Sequence, residues 1–268
     1  MPEKFIGVFD SGLGGLTCVK ELMEILPCES IVYFGDTGRV PYGSKSNETI
    51  IKYARSDIKF LQEFDLKMIV VACGTASAIA LPVIKDEVDM PIIGVVSSAA
   101  HAAVTATKNK KIGIIGTQGS IRSGAYEKEI AKLDESIKTY ARACPLFVPL
   151  VENGHTKSEV ARIIAKEYLE DIKMAGVDTL ILGCTHYPLL KEVIAEVMGE
   201  GVNLVDPGKI SASYVKDYLS EQGLLSDGTP EHKFYVSDTP EGFRELASEF
   251  LNREISENIE KINIEEYM

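Results

Sequence analysis

The chain has 268 residues, 45% hydrophobic and 25% charged, an ordinary globular composition that excludes a disordered or fibrous protein and allows one large domain or two small ones. With 40 acidic against 28 basic residues the net charge is −12, which excludes the broad positive surface that nucleic-acid binding needs and points to a small-molecule partner. The start MPEKFIGVFD lacks the features of a signal peptide, and no uncharged run reaches the roughly 18 residues of a membrane helix, so a cytoplasmic protein that does not engage a membrane is expected.

Short runs rich in Val and Ile alternate with amphipathic stretches. The runs are FIGVF (5–9), SIVYFG (30–35), KMIVVA (67–72), PIIGVV (91–96), KIGIIG (111–116) and TLILG (179–183). Between them, residues 16–26, 47–64, 124–133, 157–175 and 189–198 carry apolar residues near a 3.6 spacing and predict helices. This is the pattern of an α/β protein with mainly parallel sheets. A further strand is predicted at HKFYVSD, followed by a helix opened by Thr239 and Pro240. The charged tail from Glu254 is expected to be helical or frayed.

KMIVVACGTASAIALPVI and DTLILGCTHYPLLKEVI share one layout of strand, cysteine with threonine close behind, and helix. FIGVFDSGLGG and KIGIIGTQGS form a weaker pair. The layout suggests two pseudo-symmetric lobes, with crossings near residues 96–100 and 206–211.

In parallel sheets ligands bind at the carboxyl ends of strands. Asp10 and Ser11, Asp36 and Thr37, residues 73–75, residues 117–120 and residues 184–186 all stand at such ends and should converge. The loop SGLGG lacks both the GK[ST] ending of a P-loop and the third glycine of a dinucleotide fingerprint. It reads as a tight turn whose free N–H groups can also hold a carboxylate.

The five cysteines, at 18, 28, 73, 144 and 184, are odd in number and never stand as C-x-x-C, which favours free thiols over a disulfide framework or a thiolate metal site. Cys73 and Cys184 each precede a predicted helix. A thiol of pKa ~8.5 is about a tenth ionised near pH 7.5, and a helix end raises that toward half, enough for a base. The competing reading is a small buried hydrophobe; the matched settings of the two favour chemistry. Cys18, Cys28 and Cys144 lack that setting and read as structural. His186 is either a hydrogen-bonded structural residue or, with a carboxylate such as Glu152 beside it, a tuner of the Cys184 thiol. Asp10 suits a substrate ammonium, assistance to Cys73, or a helix cap.

GVFDSGLGGLT, YFGDTGRVPYGSKS, VACGTASA, PLVENG and LGCTHYPLL occur in this order along the chain, and in this the chain resembles glutamate racemase, of the cofactor-independent aspartate/glutamate racemase superfamily. The resemblance implies two flavodoxin-like lobes, residues 1–97 with 208–268 and residues 98–207, with the active site in the cleft between them. It implies interconversion of L- and D-glutamate, supplying D-glutamate for peptidoglycan, with neither pyridoxal phosphate nor metal and with a homodimer as an allowed assembly. By match, Cys73 and Cys184 are the acid/bases, Asp10 and His186 their helpers, and Glu152 stands near His186. Asp10, Ser11, Tyr42, Gly43, Ser44, Gly74, Thr75, Thr185 and His186 occupy substrate-binding positions. Many members carry asparagine directly after the first cysteine, where this chain has Gly74, so that contact is expected from backbone, water or a neighbour such as Ser77 or Ser97. The alternatives are a racemase of another amino acid such as aspartate, or a non-catalytic amino-acid-binding protein. A Cys-His hydrolase fits less well, because no motif supplies a base for Cys73.

Overall fold

The computed structural model describes residues 4–239, 243–255 and 258–268. The strands are β1 (Phe5–Asp10), β2 (Ile31–Gly35), β3 (Leu66–Val71), β4 (Ile92–Gly94), β5 (Lys111–Gly116), β6 (Lys138–Ala143), β7 (Thr179–Gly183), β8 (Asn203–Val205), β9 (His232–Val236) and β10 (Ile259–Lys261). They form two sheets of order β10-β9-β2-β1-β3-β4 and β6-β5-β7-β8, and the pairings are parallel throughout. The orders β2-β1-β3-β4 and β6-β5-β7-β8 repeat one topology. The repeated cysteine motifs therefore fall at equivalent points, after β3 and after β7.

The apolar runs form the interior strands because helices cover both faces of a parallel sheet. Every residue of β2, β3 and β7 is buried. Helix starts follow local capping chemistry: Ser46 accepts from the Thr49 amide, Thr117 from Ser120 and Ser158 from Ala161, and Asp206 accepts from Gly208 and Lys209. The helices Val95–Ala106 and Pro207–Glu221, at the two passages between sheets, pack against each other.

Four expectations need correction. The run at 91–96 is strand only to Gly94, an extended residue after which Val95 and Val96 begin a helix and bury their side chains there. The stretch 189–198 opens as a 3-10 turn, Tyr187–Leu190, before the helix Lys191–Met198. The tail is neither wholly helical nor frayed: β10 pairs with β9, Ile264 is buried, and the Tyr267 ring meets Phe60 with centroids 5.5 Å apart. Edge strands β6 and β8 were not anticipated, because β6 (KTYARA) is polar and β8 is three residues long. The predicted helix start at Pro240 lies outside the described residues; a helix runs over Phe243–Leu251.

Among the described residues no helix is long and apolar enough to cross a membrane.

Candidate active site

The carboxyl ends of the strands meet around one cavity of about 240 Å³, lined from the first sheet's loops by Ser11, Gly12, Tyr42, Gly43, Ser44, Cys73, Gly74 and Thr75. Thr117, Gln118, Cys144, Pro145, Val148, Glu152, Gly183, Cys184, Thr185 and His186 line it from the second sheet's side. The volume is below the ~300–1,000 Å³ usual for drug-sized ligands and suits a small metabolite. Both cysteines singled out by the sequence thus face one space, each from the third strand of its own sheet.

Their surroundings differ. Cys73 caps the six-residue helix Gly74–Ile79: its sulfur accepts from the Ala76 amide at 3.4 Å and donates to Ser11 Oγ at 3.5 Å. The helix end was expected to favour the thiolate, but burial pushes the thiol up to about 12, with the Asp10 charge adding and the bonds to Ser11 and Ala76 opposing. Desolvation of a nearly covered sulfur outweighs one turn of helix. Cys184 does not cap an α-helix; a turn separates it from the 3-10 segment. Its companion is His186, whose Nδ1 lies 3.9 Å from Sγ while Nε2 lies 3.0 Å from Glu152 Oε1. Burial alone would lower the imidazole pKa, but its hydrogen bonds to Cys184 and Glu152 prevail and raise it to about 10. A ring with that value is a cation at neutral pH.

Asp10 is buried and lies behind the cavity wall. Its Oδ2 accepts from the Gly12 amide at 3.1 Å and its Oδ1 from Thr185 Oγ1 at 3.4 Å. Burial raises its pKa, opposed by the His186 charge and the Gly15 and Gly12 amides. It neither lines the cavity nor caps the following helix, whose N-cap is Gly15; it joins the first sheet's loop to Thr185 of the second. Thr17 does likewise, donating to the Thr185 carbonyl at 3.0 Å.

Tyr42 borders the cavity, yet its hydroxyl points away, within hydrogen-bond reach of Asp36 and, at 2.8 Å, of Asp57, its one proton serving either carboxylate. Arg39 completes this buried cluster, 2.7 Å from Asp36 and 2.8 Å from Asp57. Tyr42, expected at a substrate-binding position, thus turns its hydroxyl to the cluster, which pins the loop that presents Gly43 and Ser44. Thr75 Oγ1 lies 2.9 Å from Thr117 Oγ1 and 3.3 Å from Ser120 Oγ.

Neither suggested substitute for a side chain at position 74 lines the cavity. Ser77 Oγ accepts from the Val96 amide at 3.2 Å. Ser97 lies in a separate cavity with Ile92, His101 and Tyr214.

Sequence reasoning placed Thr117 and Gln118 at a converging strand end without assigning them a role, and it missed Pro145 and Val148 as cavity walls. Cys144, read as structural, is wholly buried yet borders the cavity, and burial raises its pKa. Among the described residues no cluster of three or more metal-ligating side chains occurs.

Comparison with known proteins agrees with this geometry. A family model described as Asp/Glu/Hydantoin racemase matches residues 18–215. A glutamate racemase of Geobacter metallireducens is 47% identical over 96% of both chains. A glutamate racemase isoform from Bacillus anthracis superposes with a TM-score of 0.94 at 38% identity over 98% of each chain. The Francisella tularensis glutamate racemase, solved in complex with D-glutamate, gives 0.93 at 39% over the full length of both. The chain belongs to the Asp/Glu/hydantoin racemase family and, within it, to the glutamate racemases.

Proposed function

We propose that the protein interconverts L- and D-glutamate by moving a proton on and off Cα between two sulfurs, Cys73 on one face and Cys184 on the other. The observation that carries this reading is the shared cavity: the two cysteines enter it from equivalent strand ends of two sheets. A single rigid base cannot easily serve both faces of a carbon, whereas opposed bases can.

The unequal surroundings divide the work. With its thiol held up near 12, Cys73 rests protonated, whereas Cys184 has the His186 ring beside it. Cys184 is accordingly assigned to L-glutamate and Cys73 to D-glutamate. Cys184 takes the Cα proton, Cys73 donates its own to the opposite face, and D-glutamate leaves a site with Cys184 protonated and Cys73 ionised. That second form is the one that takes the proton from D-glutamate. Glu152 orients the His186 ring, and Asp10 acts from behind through Thr185 and Gly12.

As the Cα proton departs, charge flows into the α-carboxylate, and donors already aimed there lower the barrier. Backbone N–H groups and hydroxyls from Ser11, Gly43, Ser44, Gly74, Thr75 and Thr185 ring the cavity and suit the two carboxylates of the substrate. The chemistry then needs only protein groups.

The molecule divides into lobes of residues 1–97 with 208–268 and residues 98–207, in keeping with the membership of the two sheets. Its product serves peptidoglycan synthesis, and so cell-wall biogenesis and cell shape, in the cytoplasm. A homodimer is the assembly the reading allows, and sedimentation would detect it.

The test is incubation of purified protein with L-glutamate in heavy water, following optical rotation and label together. Loss of rotation with solvent deuterium at Cα is expected. Binding without exchange would make this an amino-acid-binding protein, and a higher kcat/KM for aspartate would reassign the substrate.

A further inference from the structure

Gly74 directly follows Cys73, and Gly183 directly precedes Cys184. A Cβ built on Gly74 would stand 2.5 Å from the carbonyl oxygen of Gly183, 3.4 Å from its carbonyl carbon and 3.9 Å from Cα of Cys184. Real Cβ atoms essentially never come within 3.0 Å of another heavy atom, and the obstacle is backbone, so no rotamer change relieves it. Gly183 has no room to retreat. It is paired with Gly116 in the β5–β7 ladder, and a Cβ built on it would lie 2.6 Å from the Ile115 carbonyl and 3.1 Å from the Tyr126 ring. A second contact of this kind joins the same two sides of the cavity: a Cβ on Gly43 would stand 2.7 Å from Thr117 Cβ.

The geometry points to Gly74 as a positioning residue that sets the separation of the two sulfurs. With only hydrogen at this position, the loop after β3 rests directly on the end of β7 in this chain, and a side chain introduced into this arrangement wedges Cys73 away from Cys184. This reverses the expectation that Gly74 marks a lost substrate contact. In this chain the position serves close approach of the two halves of the site, and a polar side chain introduced there would cost more in geometry than it returned in hydrogen bonding. The catalytic consequence rests on the racemase reading above; the steric consequence rests on the contact alone.

The test compares wild type with Gly74→Ala, Gly74→Asn and Gly43→Ala in three assays: kcat and KM for both enantiomers of glutamate, the iodoacetamide alkylation rate of Cys73 located by peptide mass, and far-UV circular dichroism. A displacement of about 1 Å at reacting groups can cost on the order of 100-fold. Gly74→Ala should therefore lose roughly 10–100-fold in kcat with KM changed less than about threefold, and Cys73 should be alkylated several-fold faster in a protein of unchanged helicity. Gly74→Asn should lose as much. An Asn variant with lowered KM and full kcat would overturn the inference and restore the lost contact. So would a Gly74→Ala variant within about twofold of wild type in kcat and alkylation. Should Gly74→Ala fail to fold, Gly43→Ala decides: its added methyl would stand 2.7 Å from Thr117 Cβ, an atom no rotamer change moves, so a loss of kcat with faster alkylation is expected, and no change in either refutes the idea. Were wild type unable to racemise glutamate, the functional reading would fall, while the alkylation comparison would still decide whether Gly74 holds the halves together.

Discussion

Nδ1 of His186 lies 3.9 Å from the sulfur of Cys184, and the ring's other nitrogen is held by Glu152 at 3.0 Å. At the corresponding place beside Cys73 stands Ser11, a neutral hydroxyl. Two cysteines that read alike in the sequence therefore have different neighbours in the fold.

That difference predicts the reactivity of Cys73. With its thiol held up to about 12, its thiolate fraction at pH 8 is about one part in ten thousand. Alkylation of Cys73 in ligand-free protein should be slow and should rise about tenfold per pH unit between pH 8 and pH 10. A rate that levels off below pH 9 would contradict the effect of burial.

Replacing either cysteine by alanine should lower racemisation by roughly 10²–10⁴-fold, the usual weight of a positioned proton donor or acceptor, with the fold retained. The two enantiomers are equal in free energy, so kcat/KM must fall equally in both directions for any variant. The division of labour shows instead in Cα-deuterated substrates: His186→Asn, which removes the cation beside Cys184, should increase the primary isotope effect from L-glutamate more than that from D-glutamate. Equal increases would remove the special link between His186 and Cys184.

His186 also ties stability to pH. Its folded value near 10 stands above the unfolded value of about 6.5, so the folded state binds the extra proton between those limits. The contribution is complete below about pH 6.5 and is lost as pH rises toward 10. Urea midpoints measured across this range should fall more steeply for wild type than for His186→Asn, and parallel curves would show that the ring is not charged in the fold.

Tyr42→Phe tests the place of the Tyr42 hydroxyl in the buried cluster with Asp36, Asp57 and Arg39. Its loss leaves Asp36 and Asp57 short of a donor in a buried cluster, at a cost of about 1–3 kcal/mol in stability. KM for glutamate should stay within about threefold of wild type, because the hydroxyl does not reach the cavity. A large rise in KM with unchanged stability would instead place the Tyr42 hydroxyl in contact with the substrate.

Much of the architecture was legible because interior parallel strands must be apolar on both faces: β1, β3, β5 and β7 stand out as Val- and Ile-rich runs. The edge strands β6, β8 and β10 hid for the same reason, since an edge needs less apolar surface and can be short or charged. Cys73, Cys184 and their threonines were legible from the rule that parallel sheets present their ligands at strand ends. What the chain did not disclose depends on distant partners. Only the fold brings Asp57 to the Tyr42 hydroxyl, covers Cys73 deeply enough to reverse the effect of its helix, and lays Gly74 on Gly183. His186 two residues after Cys184 was readable as a neighbour, but the turn that bends both toward one cavity was not.

The most direct measurement is the structure of the protein with D-glutamate bound. Cα should lie between the sulfurs of Cys73 and Cys184, each at about 3–4 Å and on opposite faces, as a poised proton transfer requires. An amino acid bound with both sulfurs on one side of Cα, or with either sulfur out of reach, would contradict the two-base account.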